Sequence, residues 1–317
     1  MSIAIYRSHF GMVRETTYGS TSALGARYIP VMSYDPGWED ELERIVDEGI
    51  RGAASKDFAI YTGVSRSRGG YSFHFYPNTC GTFLYGIFGG VLISTGAQGS
   101  THLFGATDVP PTYTLADFHG AALGESLIRG AIMERVDFAY SKNSGTLTVK
   151  PTWVGNASTQ VAETTDSYST DSPFRGWQAT VSATASTAMN LRTLDFNISL
   201  SRPVYQIWGG SNTQIPNAFT VGPLEVTGSI TSYGTTFSEL TAYQANSTGT
   251  LTVQLDDVAS TNTNTLLFTM NNVRFEKVTL DRGGDYSRWT TNFRALHNAT
   301  DSGPATVSLS IASSCSF

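Results

Sequence analysis

The sequence predicts a mainly β protein whose second half repeats the layout of its first. Three observations carry this. Met133-x-x-Val136-x-Phe138 is answered by Met270-x-x-Val273-x-Phe275, and the two are followed by Asn156-Ala157-Ser158 and Asn298-Ala299-Thr300. Upstream of each motif an alternating strand precedes a short helix, 71–75 before 82–88 in the first half and 224–230 before 237–243 in the second. Charged residues are only 15% of the chain and aromatics 12%, a balance that suits short strands and tight turns better than long solvent-facing helices. At 317 residues there is room for two units that each bury a core.

After an N-terminal arm, residues 27–33 read as a strand, with Pro30 placing it at an edge or a bulge. Trp38, Leu42, Ile45 and Val46 fall at helical spacing behind Asp35-Pro36, yet their counterpart 191–209 alternates as strands do, so strands are expected over 42–51 as well. In that geometry Glu39, Glu41, Glu43 and Asp47 share one face. Residues 82–88 carry an apolar helical stripe closed by Gly89-Gly90; Phe237, Leu240 and Tyr243 form the second stripe, with Thr236 and Glu239 as a capping box. Both helices are expected to cover a sheet. Residues 133–140 turn into 146–154 as a hairpin, and 267–280 into 286–296 as its twin. The Ser-, Thr- and Asp-rich stretch between the halves divides the chain into 1–160, a linker 161–173, and 174–317.

The net charge of −6 has an address. Asp35, Glu39, Asp40, Glu41, Glu43, Asp47 and Glu48 against Arg44 account for all of it. No run of Lys and Arg offers the basic surface that gripping nucleic acid requires, and Arg66 and Arg68 read as a solvated loop. His9, His74, His102, His119 and His297 are dispersed, and Cys80 and Cys315 match no metal spacing, so no metal, no cofactor and reduced thiols are expected. Phosphate-binding glycine loops and nucleophile elbows are absent, and the acidic cluster is consecutive instead of split across a cleft, which argues against an enzyme. The N-terminus lacks signal-peptide character and no apolar run approaches the ~18 residues of a membrane span, so a cytoplasmic product without membrane insertion is expected.

The succession Tyr28-Ile29-Pro30-Val31, Asp47-Glu48-Gly49-Ile50-Arg51-Gly52, Lys56-Asp57-Phe58 and Tyr61-Thr62-Gly63-Val64 resembles tail tube (major tail) proteins of long-tailed, siphovirus-type bacteriophages. So do Tyr76-Pro77-Asn78-Thr79, Gly176-Trp177-Gln178-Ala179-Thr180-Val181, the stretch from Val221 to Gly228, and Asp281-Arg282-Gly283-Gly284-Asp285-Tyr286, in that order over nearly the whole chain. The resemblance implies two tandem β-barrel or sandwich domains, each with one flanking short helix. It implies a structural virion protein that self-assembles in the host cytoplasm into stacked rings, with a trimer favoured over a hexamer because each chain carries two units. Implied partners are further copies of the chain, a tape measure protein, a tail terminator, and genomic DNA ejected through the lumen without specific binding. The acidic residues Asp35 to Glu48 then line the lumen or the ring-to-ring contact. The competing reading is a tandem β-sandwich adhesin that stacks sugars on Trp38, Trp153, Trp177, Trp208 and Trp289.

Overall fold

The Met-x-x-Val-x-Phe spacing is out of phase with a regular strand, in which side chains three apart point to opposite faces. A β-bulge restores the phase. The computed structural model describes residues 9–20, 28–48, 59–96, 99–119, 124–141, 145–162, 168, 172–184, 193–208, 214–233, 236–257, 264–283 and 286–312. In it Met133, Val136 and Phe138 are all fully buried, because strand β8 (Glu125–Ser141) slips register at Glu134 against β9 (Thr148–Asn156). Likewise β17 (Asn264–Asp281) carries two residues, Asn271 and Asn272, against one of β16 (Thr248–Asp257), so Met270 and Val273 are both buried. The carboxylate of Asp301 holds this second bulge by accepting from the Asn271 backbone and side-chain nitrogens at 3.2 and 2.7 Å.

Each long strand changes partners at its bulge. Up to Ala131, β8 pairs with β7 (Tyr113–Phe118) and β10 (Thr159–Val161); from Ile132 on, through the bulge, it pairs with β9. β17 pairs first with β16 and β19 (Thr306–Ile311), then with β18 (Arg288–Ala295). One strand therefore serves two packed sheets, as strands do at the corners of sandwiches.

The remaining pairings recur in the same order. β1 (His9–Arg14) lies on β7 as β11 (Ala179–Ala183) lies on β16. The pair β3 (Val31–Asp47) and β4 (Ala59–His74) has its counterpart in β12 (Thr193–Ser201) and β15 (Glu225–Tyr233), and β4 joins β9 as β15 joins β18. Helix α1 (Pro77–Phe88) follows β4 and α2 (Ser238–Gln244) follows β15. The hairpin of β5 (Gly89–Gly96) and β6 (Gly99–Ala106) belongs to the first half, and β6 reaches across to pair with β19. A second pairing crosses the halves, β8 with β12. Their cores are continuous too, with the Phe138 and Phe268 rings 5.1 Å apart.

Several expectations change. Residues 31–47 form one extended strand, and the helical spacing of Trp38, Leu42, Ile45 and Val46 is overridden by pairing with β4. The strand read at 27–33 is broken at Pro30, which separates Val31 from the two-residue β2 (Tyr28–Ile29). The N-terminal arm contains a core strand, β1, with Phe10 and Met12 buried. The expected linker begins inside β10, and most of 163–171 lies outside the described residues, as do 49–51 and Cys315. Cys80 is buried, and its thiol donates to the His74 carbonyl at 3.4 Å. α1 starts earlier than its stripe, with Pro at its first turn, and ends at Gly89, whose φ of 85° suits glycine. α2 has no capping box. Phe237 is its N-cap with no side-chain bond, Thr236 meets Ser238 instead, and the buried face is Glu239 and Ala242 while Phe237 is 63% exposed.

Two buried polar groups tie the layers. Arg202, 4% exposed, follows β12 and donates to four carbonyls, of Ile87 and Phe88 at the end of α1, of Thr107, and of Gly222. Burial lowers its pKa, partly offset by Asp108. Asp117 on β7 is buried beneath β4, where it accepts from the Tyr71 hydroxyl and lies 3.8 Å from His119. Burial pushes its carboxyl above the ordinary range, against the opposing pull of Tyr71, His119, Trp38 and His9.

Replacing Arg202 with Met should cost about 3 kcal/mol, because it strands carbonyls at a helix C-terminus in the interior. Chemical denaturation would read this, and Lys at 202 should restore little, since one ammonium cannot span the four acceptors. For Asp117 the folded pKa is raised, so its stabilising state is the protonated one. Its contribution is complete below the unfolded carboxylate pKa of about 4 and is lost as pH rises through the folded value. Asp117→Asn should flatten that limb of the stability profile, read as melting temperature against pH.

Candidate assembly surfaces

Beyond the bulges, the chain builds one antiparallel sheet in the order β3, β4, β9, β8, β12, β15, β18, β17. Its middle seam is the β8–β12 ladder, running from Ser141 opposite Asp195 to Arg135 opposite Ser201. Its ends are unpaired. Among the described residues no strand pairs with the outer edge of β3, nor with the outer edge of β17 after Arg274. An open β-edge is a template for another strand, and natural monomers normally cover or distort it.

One face of this sheet is the core, with Val136, Phe138, Phe196, Ile198, Val226, Ile230 and Phe293 buried. The opposite face carries Arg135, Asp137, Asn197, Ser199, Thr227, Ser229, Asn292 and Arg294, which line an open depression of about 560 Å³. Three of its arginines are paired. Arg135 meets Asp137 at 2.8 Å, Arg68 meets Glu134 at 2.6 Å, and Arg294 lies between Glu276, at 2.5 Å, and Glu225. The bonds to Glu276, then the charge of Glu225, raise the Arg294 pKa further.

The acidic segment is distributed over β3. Glu39 and Glu41 lie opposite Arg68 and Arg66, and Glu41 forms an ion pair with Arg66. The two arginines read as a loop are thus strand residues that neutralise the acidic face; period-two alternation in β4 is hidden by Gly69-Gly70 and by the bulge at Gly63-Val64. Glu43 covers that bulge, accepting from the Val64 nitrogen at 3.3 Å, and its side chain occupies the space beside Gly63 that a Cβ would enter. Asp40 points to the other side, where it accepts from the Ser67 and Ser158 hydroxyls and from the Ser158 nitrogen at 3.1 Å. Asp47 ends the strand and Glu48 follows it; the Asp35 side chain lies outside the described residues. Structure therefore brings Glu39, Glu41, Glu43 and Asp47 to one face, as the alternation predicts, and separates Asp40 from them.

The outer half of the β3–β4 hairpin, Leu42–Asp47 with Ala59–Ser65, projects beyond β9 with Leu42, Val46 and Ile60 exposed on one side and Ile45 and Tyr61 on the other. In the second half the same position holds a separate ribbon, β13 (Val204–Ile207) with β14 (Ala218–Val221). That ribbon lies over the first half. Ser65 donates to the Gln214 carbonyl at 2.9 Å, Gln214 Nε2 donates to Thr62 Oγ1 at 2.7 Å, and Phe219 packs on Tyr18, whose hydroxyl donates to Asn156.

No three His, Cys, Asp or Glu side chains converge as a metal site among the described residues, and no helix there is long and apolar enough to cross a membrane. Of the tryptophans proposed as sugar platforms, Trp153 and Trp289 are buried and Trp38 packs against the core, which leaves Trp177 and Trp208 exposed and does not form a stacking surface of the five.

The family model for phage tail tube proteins matches residues 6–315. The chain belongs to the phage tail tube family. It is a structural component of the virion tail, in a family that builds the tail tube, and its mainly β fold agrees with a tail tube sandwich. A search of curated proteins finds no match.

Within this tail tube protein the Glu41–Arg66 pair sits on a half-exposed face, so its coupling should be small. A double-mutant cycle with Ala at both positions should return less than about 1 kcal/mol.

Proposed function

We propose that this tail tube protein is two fused copies of one tube unit, and that three chains close a ring of six units whose eight-stranded sheets join edge to edge. The carrying observation is the seam between β8 and β12. It joins a four-strand group of the first half (β3, β4, β9, β8) to the equivalent group of the second (β12, β15, β18, β17). Repeating that seam between chains sets β17 of one copy against β3 of the next, which are the two edges left open in the single chain. A head-to-tail contact of this kind closes into a ring when its rotation divides the circle.

In this reading the free face of the sheet lines the lumen, and rings stack into the hollow tube through which DNA is ejected. The paired charges suit passage, because phosphate binding draws on cations free to replace counterions, and here Arg66, Arg68, Arg135 and Arg294 are each held by carboxylates or lie opposite them. Glu39 and Glu41 belong to that face and contribute to a charge-balanced wall; Glu43, Asp47 and Glu48 extend it along the projecting hairpin. Assembly in the host cytoplasm, with a tape measure protein and a tail terminator bounding the tube, completes the proposal.

Electron microscopy of purified protein or particles should show rings of three chains with near-sixfold outline. Proline at Val278 or Thr279 provides the sharper test. Successive strand N–H groups point to opposite edges, so one of the two substitutions spares the β18 ladder and removes only an outward donor. That variant should fold, by circular dichroism, and remain monomeric. Rings from both variants would refute the edge assignment.

A further inference from the structure

The segment that leads into β11 closes one end of the first half's core. Phe174 is fully buried there and joins the ends of two strands: its nitrogen donates to the Phe75 carbonyl at 3.2 Å, and its carbonyl accepts from the Leu147 nitrogen at 3.0 Å. Phe75 in turn donates to the Leu147 carbonyl at 3.0 Å. The Phe174 ring lies 5.8 Å from that of Phe75, which is 6.0 Å from Phe138. Arg175 then bridges to Thr146, and a single 3-10 turn at Gly176–Gln178 carries the chain into β11.

The second half has the same opening at the ends of β15 and β18, and no backbone bond among the described residues plays the part of Phe174 there. Phe237 meets Trp289 edge to face at 5.8 Å yet stays 63% exposed. Tyr233 and Tyr286, 4.9 Å apart, form an exposed aromatic rim beside it. Ser232 is buried at this end, and its hydroxyl has no hydrogen-bond partner among the described residues.

We propose that residues 1–8 fill this opening on the second unit of the preceding copy in the ring, as Phe174 fills its counterpart within the chain. The inference rests on the ring reading above and on the repeat. β1 on β7 and β11 on β16 are equivalent, so the segment leading into each reaches back to the unit before it, and for β1 that unit belongs to another chain. The sequence suits the role. Ile3 and Ile5 lie six and four residues ahead of β1, on either side of the five-residue offset of Phe174 from β11, and Ser2-Ile3-Ala4-Ile5-Tyr6 has the β-branched and aromatic character of a strand. An isoleucine from this segment would sit against Phe237 and Trp289, and its backbone would join the ends of β15 and β18.

Photo-crosslinking in the full-length chain tests it. A benzophenone amino acid replaces Phe237, a site exposed in the single chain, and rings are formed from mixed isotope-labelled and unlabelled protein. Irradiation should join position 237 to a peptide from residues 1–8 of another chain. Rings whose adducts map elsewhere, or that give none, would overturn the proposal. Deleting residues 2–7 should leave the monomer folded by circular dichroism and raise the concentration needed for half-assembly about tenfold, the effect of uncovering one isoleucine. Assembly at an unchanged concentration would also overturn the proposal. A full-length protein that forms no rings would overturn the ring reading itself, and this contact with it.

Discussion

The architecture depends on the bulges that follow Met133 and Met270. A strand of seventeen or eighteen residues with strict alternation would expose half of its apolar side chains wherever it left one sheet for another. One extra residue resets the alternation at the crossing point, so the same strand can present Met to the core before the bend and Val and Phe after it. Everything else follows from where those strands go. Their first halves complete the outer layer with β7 or β16, and their second halves complete the sheet that runs through the molecule from β3 to β17. The Asp301 carboxylate at the second bulge shows that the irregularity is fixed by hydrogen bonds and is not slack in the chain.

Much of this was legible in the sequence because local pattern reports which face a residue takes. The alternations in 224–230 and 194–200, the stripe of α1 with its closing glycine, and the common face of Glu39, Glu41 and Glu43 all appear as read. Local pattern does not report partners. The Phe83-to-Phe88 stripe identified a buried helix, but nothing near Arg202 reveals that its guanidinium closes the end of that helix from more than a hundred residues away. The pairing of β6 with β19 is of the same kind. Arg66 and Arg68 were misread for a physical reason: glycines and a bulge interrupt the apolar rhythm that marks a strand, and the opposing acids that define their environment come from a different segment.

Where helical and strand periodicity conflicted, over Trp38 to Val46, the internal repeat gave the right answer and the local spacing did not. Apolar residues at i, i+4, i+7 and i+8 also occur in a two-stranded ribbon that is apolar on both faces, and this hairpin is such a ribbon. Its apolar side chains Leu42, Ile45, Val46, Ile60 and Tyr61 are exposed in the single chain. The same logic separates Trp153, which fills the core between Phe10 and Tyr71, from Trp177 and Trp208, which stay at the surface.

The free face of the long sheet offers mostly short side chains, Ser199, Thr227, Ser229, Asn197 and Asn292, between its ion pairs. Such groups keep their own hydration and repeat across strands spaced about 4.8 Å apart. If this face lines the lumen as proposed, a long polyanion moving over it would meet many equivalent shallow minima and no deep one. Resistance would then come from the viscosity of the thin water layer, so the speed of movement would follow the driving pressure and vary little with the sequence of the cargo.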